Sequence, residues 1–269
     1  MSSLPFASGS HISPVAPRLA SAVVLARSRD GGGIEVFMVR RHVQSDFAPD
    51  VYVFPGGSVK PGDREAEATT GLSVPSGDGP TALGVGLRAA ALRELFEEAG
   101  VLLAYRRDAP LIIEPDTAER FARYRDDLCA GRGTLGSVAA REGLRLATDA
   151  LIHWAHWITP EPFPKRFDTH FFLADAPSGQ VATHDQIEVT ESAWITPDDA
   201  LAGYQRGEFP LVFATVRQLR ELLGLANMDE ARARFAGRTP ETIMPVATPT
   251  PDGSFIVQIP GSSDAPERV

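Results

Sequence analysis

One stretch constrains this chain more than any other. Leu87 to Ala99 contains neither Gly nor Pro and is built from Ala, Leu, Arg, Glu and Phe. Ala, Leu, Arg and Glu are good helix formers, and Gly100 follows as the expected stop. In a helix, residues three and four apart share a face, so Glu94, Glu97 and Glu98 converge on one side. Arg93 stands four before Glu97 and can pair with it. Leu92, Leu95, Phe96 and Ala99 fill most of the remaining girth, so the helix should be largely buried. Clustered carboxylates at the edge of a buried helix are costly unless a cation neutralises them. Oxygen-only ligands point to a hard divalent ion, Mg²⁺ or Mn²⁺. The alternative is a solvated acidic face with Glu–Arg pairs. The apolar neighbours of these glutamates argue against it.

The rest of the chain supplies a setting for such a helix. Leu19–Ala26 and Ile34–Val39 are apolar runs separated by a charged turn rich in Gly, which reads as a hairpin. Val51–Phe54 is a short strand stopped by Pro55, Gly56 and Gly57. Glycine there lets the backbone approach a metal or phosphate closely. Arg64–Gly86 reads as an irregular excursion. Helical periodicity is expected over Asp116–Leu128 and Val138–Leu151. Strands are expected over Ile152–Ile158, Thr169–Ala174 and Ile187–Ile195, then helices from Pro197 and over Leu211–Leu223. Ser254–Ile259 could be a late strand before a frayed end. This order suggests an α/β fold with helices packed on a mixed sheet.

Composition narrows the function. With 269 residues, a hydrophobic share of 43% and a net charge of −9, the chain can bury a core but offers no basic surplus for nucleic acid. The single cysteine, Cys129, fits a reducing compartment, and a cytoplasmic location is expected. No run reaches the ~20 apolar residues of a membrane span.

Arg93-Glu94-Leu95-Phe96-Glu97-Glu98-Ala99-Gly100-Val101 resembles the second half of the Nudix box, G-x5-E-x7-R-E-U-x-E-E-x-G-U, where U is a bulky aliphatic residue. Gly57 resembles its first glycine, and Asp63, six positions on, stands in the Glu slot. Asp63 and Arg93 are 30 positions apart where the pattern has 8, so 22 residues are inserted. An insertion at a loop–helix junction is tolerable because loop-closure cost grows slowly with length. An interrupted-box subgroup of the superfamily, which includes a peroxisomal coenzyme A diphosphatase, carries such an insertion. Trp157-Ile158-Thr159-Pro160 and Arg166-Phe167-Asp168-Thr169-His170-Phe171-Phe172 resemble further motifs of that subgroup.

The resemblance implies a Nudix fold, an α/β/α sandwich around a mixed sheet. It places the hydrolase domain at residues 18–225, with insertions at about 64–86 and 106–150. A tail precedes it over 1–17 and an extension follows over 226–269. It implies a pyrophosphohydrolase dependent on Mg²⁺ or Mn²⁺ that cleaves a nucleoside diphosphate-linked small molecule, with coenzyme A or acyl-coenzyme A favoured. Glu94, Glu97 and Glu98 would be metal ligands, with Glu94 a ligand or the general base. Arg93 would orient the carboxylates, and the Gly56–Gly57 turn would offer a carbonyl to the metal. Asp63 is left without a role. Arg166 and His170 are candidates for a substrate phosphate, with an ion pair to Asp168 as the alternative for Arg166. Glu188 and Glu191 are candidates for a carboxylate outside the box, against outward-facing strand residues. His153 and His156 lack a third ligand at suitable spacing, and Trp154 and Trp157 default to core packing. A homodimer is a further implication. The competing function is a nucleotide sensor of weak catalytic power, which the intact set of three glutamates disfavours.

Overall fold

The computed structural model describes residues 15–45, 48–76, 86–161, 163–184, 189–262 and 266–268. The expected hairpin forms between β1 (Arg18–Ser28) and β2 (Ile34–Arg41), with Ala26 opposite Val36. Its turn needs glycine, because Gly31, Gly32 and Gly33 all take φ between 86° and 97°. Then come β3 (Tyr52–Val53), β4 (Gly56–Ser58), α1 (Pro61–Ala68) and α2 (Leu87–Ala99). A small second sheet is made by β5 (Ala104–Arg106), β6 (Ala109–Pro110) and, after α3 (Pro115–Cys129) and α4 (Leu135–Glu142), β7 (Arg145–Leu146). The main sheet resumes with β8 (Ile152–Ile158), β9 (Phe167–Asp175) and β10 (Val189–Ile195). The chain continues through α5 (Pro197–Gln205), α6 (Phe213–Glu221), α7 (Met228–Phe235), β11 (Thr242–Ile243), β12 (Val246–Pro249), β13 (Phe255–Gln258) and β14 (Glu267–Arg268).

Among the described residues the main sheet has eight strands. Its order is β10-β2-β1-β9-β8-β11, with β3 on β2 and β4 on β1. β1 runs parallel to β9 and antiparallel to β4, so the sheet is mixed. Its two faces carry separate apolar clusters. One gathers Val23, Val39, Leu92, Leu95, Phe96, Phe121 and Phe172 with helices α2 to α4. The other gathers Val24, Met38, Trp154, Trp157, Val216 and Phe235 with α5 to α7. The result is the three-layer α/β/α sandwich, and both tryptophans serve as core.

Two expectations need correction. Arg64–Gly86 is not wholly irregular: its first residues complete α1, begun by Pro61 at a favoured first-turn position. Val138–Leu151 is not one helix. Gly143 ends α4 at φ 62°, and the chain passes through β7 and a short 3-10 turn at Thr148–Ala150. Val138, Leu144, Leu146 and Leu151 all enter one core, but different elements bring them there. The C-terminal segment holds more structure than a frayed end: α7 packs in the second core and β11 pairs with β8.

Candidate active site on helix α2

Every residue of α2 is buried. Fully burying a Leu or Phe side chain contributes about 1.5–3 kcal/mol, so Leu92, Leu95 and Phe96 seat the helix firmly. Both ends of a buried helix must satisfy their loose backbone groups. At the start, the Glu67 carboxylate on α1 accepts from the N–H groups of Gly86, Arg88 and Ala89 at 2.5, 2.6 and 2.9 Å. At the end, Arg125 Nε donates to Glu97 O and the Thr183 N–H donates to Ala99 O, both at 2.8 Å. Gly100 closes the helix at φ 68°.

Arg93 organises the polar side. Its Nε and Nη2 grip Asp63 in a two-pronged contact at 2.8 and 3.0 Å. Nη2 also donates to Ser58 O at 2.9 Å, and Nη1 donates to Glu94 at 2.6 Å and Glu97 at 3.0 Å. All five guanidinium N–H donors are therefore used. Burial works against the charge of Arg93, but Glu94, Asp63 and Glu97 more than offset it and raise its pKa. Asp63 also accepts from the Lys60 N–H at 2.8 Å and is itself buried. The inserted residues thus leave its register with Arg93 intact.

The three glutamates have different surroundings. Glu94 lies against Gly57, where an added Cβ would stand 2.4 Å from its Oε1. Burial, with Glu97 opposing and Arg93 relieving, pushes its carboxyl up to about 7. Glu97 accepts from Arg93 and Lys60 through Oε2, while its buried Oε1 has no partner among the described residues. Glu98 accepts from the Gly56 N–H at 3.0 Å, so this turn contributes a donor to a glutamate. Asp63, Glu94 and Glu97 pair with Arg93 and the half-exposed Lys60. The donor set suits a hard divalent ion in three respects. It is all oxygen, it carries surplus negative charge, and it leaves a buried carboxylate oxygen unpaired. Arg93 Nη1 bridges Glu94 and Glu97.

Glu98 also borders a cleft of ≈ 620 Å³ whose lining includes Arg18, Arg41, Lys165, Arg166 and Phe167. Arg166 is buried but makes no ion pair with Asp168 among the described residues. Its Nε and Nη1 donate to the carbonyls of Thr159 and Val15 at 2.9 and 2.8 Å. Glu191 is exposed and pairs with Arg40 at 3.3 Å. Glu188 lies outside the described residues. Sequence reasoning missed Glu67 as the helix cap and left Asp63 unassigned. The Lys60–Pro61 start of a helix, with Asp63 at its third position, was the available signal.

Sequence reasoning also set aside His153 and His156 as metal ligands. β8 has an irregularity between His153 and Ala155, so His153 pairs with Phe172 and His156 with His170. Cross-strand partners share a face, which places His153, His156, Asp168 and His170 together. Burial, then His170 and Arg88, lowers His153 to about 3. Burial, then His156, lowers His170 to about 4.

Comparison with known proteins agrees with this architecture. The crystal structure of a Nudix hydrolase from Alicyclobacillus acidocaldarius superposes with a TM-score of 0.69 at 29% identity. The match covers 83% of this chain and 98% of that one. The fold and the family match are those of a Nudix hydrolase, an enzyme acting on diphosphate bonds. More narrowly, the chain belongs to the NUDT19 Nudix domain family, whose model matches residues 74–222. Putative nudix hydrolase 7 of Caenorhabditis elegans is 29% identical over 215 residues, covering 79% of this chain and 62% of that protein. The human acyl-coenzyme A diphosphatase NUDT19 is 26% identical over 273 residues, covering 85% of this chain and 72% of that protein. The family match begins after Gly57 and Asp63, so the contacts of Arg93 and Glu94 are what join the glycine turn to the helix. No helix among the described residues is long and apolar enough to cross a membrane.

Proposed function

We propose that this chain hydrolyses the diphosphate of coenzyme A or an acyl-coenzyme A at the glutamate face of α2. The observation that carries the reading is the buried carboxylate cluster around Arg93, opening through Glu98 onto a cleft bordered by four cations. Glu94, Glu97 and Glu98 would hold Mg²⁺ or Mn²⁺, with the carbonyl of Gly57 as a further ligand. A divalent ion there supplies charge neutralisation on the diphosphate and lowers the pKa of the attacking water. Glu94 would serve either as one of these ligands or as the general base that takes that water's proton. Arg93 and Asp63 act as positioning residues that fix the carboxylates. Arg18, Arg41 and Lys165 offer charge to phosphate oxygens. Arg166 holds the cleft wall through its carbonyl contacts and adds its own charge there. A ligand with a phosphate beyond its diphosphate suits so many cations in a chain of net charge −9. Glu188 remains proposed as a contributor to the substrate site.

The test is a substrate panel with Mg²⁺: coenzyme A, an acyl-coenzyme A, ADP-ribose, a dinucleotide and a nucleotide sugar, with products identified by mass spectrometry. Release of 3′,5′-ADP from the coenzyme A compounds in preference to the others is expected. Turnover of the others alone would overturn the substrate assignment. Tight nucleotide binding without turnover of any diphosphate would favour the sensor.

A further inference from the structure

The face of β8 and β9 beside α2 carries a second cluster that the diphosphate chemistry does not use. Asp168, His170 and Phe172 alternate along β9 and so share a face, and Phe172 enters the core beneath α2. His156 stands opposite His170, their rings stacked with centroids 4.0 Å apart. His156 Nε2 lies 2.5 Å and His170 Nε2 3.7 Å from the same oxygen, Asp168 Oδ1. One ligand atom from each of the three residues lies within 4.8 Å of the others. No other group of three His, Cys, Asp or Glu among the described residues converges so closely. The side chains of His156, Asp168 and His170 are 15%, 28% and 12% exposed, so the cluster is held in place yet open to solvent.

The far side of each imidazole is also occupied. His156 Nδ1 lies 2.8 Å from Thr242 Oγ1, and His170 Nδ1 lies 3.1 Å from His153 Nε2. These contacts leave both Nε2 atoms pointing at Asp168. Ligating histidines bind in this way, with the second nitrogen tied to an outer partner that fixes ring and tautomer. Tetrahedral ligands about 2.1 Å from a zinc ion are themselves roughly 3.4 Å apart. The 3.7 Å of His170 is near that separation, while His156 at 2.5 Å hydrogen-bonds Asp168 directly, so an ion would enter by replacing that hydrogen bond.

We infer that His156, Asp168 and His170 form a binding site for a divalent transition-metal ion of the zinc class, with His153 and Thr242 orienting the two imidazoles. Two nitrogens and one carboxylate oxygen favour such an ion over Mg²⁺, which prefers oxygen and six-coordination. Three protein ligands leave at least one position for water or a ligand. The site lies on the same face of the sheet as the glutamates but across β1 from them. Ser21 of β1 pairs with His170 on one side and Gly57 on the other, and its hydroxyl donates to Leu87 O at the start of α2.

The test uses the full-length chain in excess Mg²⁺, with Zn²⁺ as the probe in equilibrium dialysis and Co²⁺ as a visible-absorption reporter. One Zn²⁺ per chain is expected in the wild type and in the Glu97→Gln, Glu98→Gln double variant. Binding should weaken at least ~100-fold in His170→Ala and in Asp168→Asn, and about 10- to 100-fold in His153→Ala, the range for losing an outer partner. Cobalt bands typical of imidazole ligation should vanish in His156→Ala. Asp168→Asn keeps the shape of the site should an alanine variant fail to fold. Failure of the wild type to retain Zn²⁺, retention unchanged in Asp168→Asn, or loss in the glutamate double variant would each overturn the proposal.

Discussion

Strand β1 separates two polar regions of opposite character. On one side Asp63, Glu94 and Glu97 gather around Arg93, with Glu98 on the same helix. On the other stand three imidazoles and one carboxylate on two paired strands. The first is all oxygen and carries surplus negative charge. The second is rich in nitrogen, with His153 and His170 held below the usual histidine range by burial and neighbours. Both are anchored through the same helix, since Gly57 backs Glu94 while Ser21 links the His170 row to Leu87. The contrast teaches that a shared scaffold need not impose a shared chemistry. The side-chain donors and their charge decide which ion or substrate each side suits.

The largest expected effect strikes the glutamate side. Arg93→Ala would leave Asp63, Glu94 and Glu97 buried without their shared partner. Breaking such a set typically costs about 3–5 kcal/mol, a large part of ordinary domain stability, and chemical denaturation would measure it. A loss under ~1 kcal/mol would mean the carboxylates are solvated and the two sides differ less than described.

Glu97→Gln or Glu98→Gln should fold and lower kcat on the best diphosphate substrate by ~100-fold or more, since losing a ligand should exceed losing an outer partner. The same substitutions should leave Zn²⁺ binding at His156, Asp168 and His170 untouched, which sharpens the comparison. A smaller step is Asp63→Asn, which keeps one prong of the contact with Arg93. A kcat loss of about 10- to 100-fold with KM little changed is expected, and a purely structural role would lower stability without that split.

Much of this contrast was legible in the sequence on one side only. The helix announced itself because period, composition and stop residue all agreed over Leu87–Gly100. The glycine turn was legible as punctuation, but Asp63 was not, because an insertion hides which residues meet. Only the observed contact with Arg93 restores the pairing. The histidines were illegible for a different reason. Strict strand alternation puts His153 and His156 on opposite faces, and the irregularity after His153 rotates them onto one face. The other two ligands inferred, Asp168 and His170, come from a neighbouring strand whose register no local pattern states. Glu67 was hidden likewise, since its partners lie about twenty residues away at Gly86, Arg88 and Ala89.

The smallest effect is on pH dependence. In metal-stripped protein the folded carboxyl of Glu94 titrates near 7, against 4.5 for an unperturbed glutamate, with burial as the main cause. The folded state then holds a proton that the unfolded state has released between these values, so stability falls as pH rises through this window. Thermal unfolding in EDTA should show that decline for the wild type and a flatter curve for Glu94→Gln. Parallel curves would contradict the burial argument.

The most direct test of the glutamate site is Mn²⁺ binding followed by electron paramagnetic resonance in four proteins: wild type, Glu97→Gln with Glu98→Gln, Arg93→Lys, and His156→Ala with His170→Ala. High-affinity Mn²⁺ binding is expected in the wild type and the histidine variant, weakened in Arg93→Lys, and lost in the glutamate variant. Undiminished Mn²⁺ binding after both glutamates are neutralised would contradict the assignment of α2 as the metal-bearing helix.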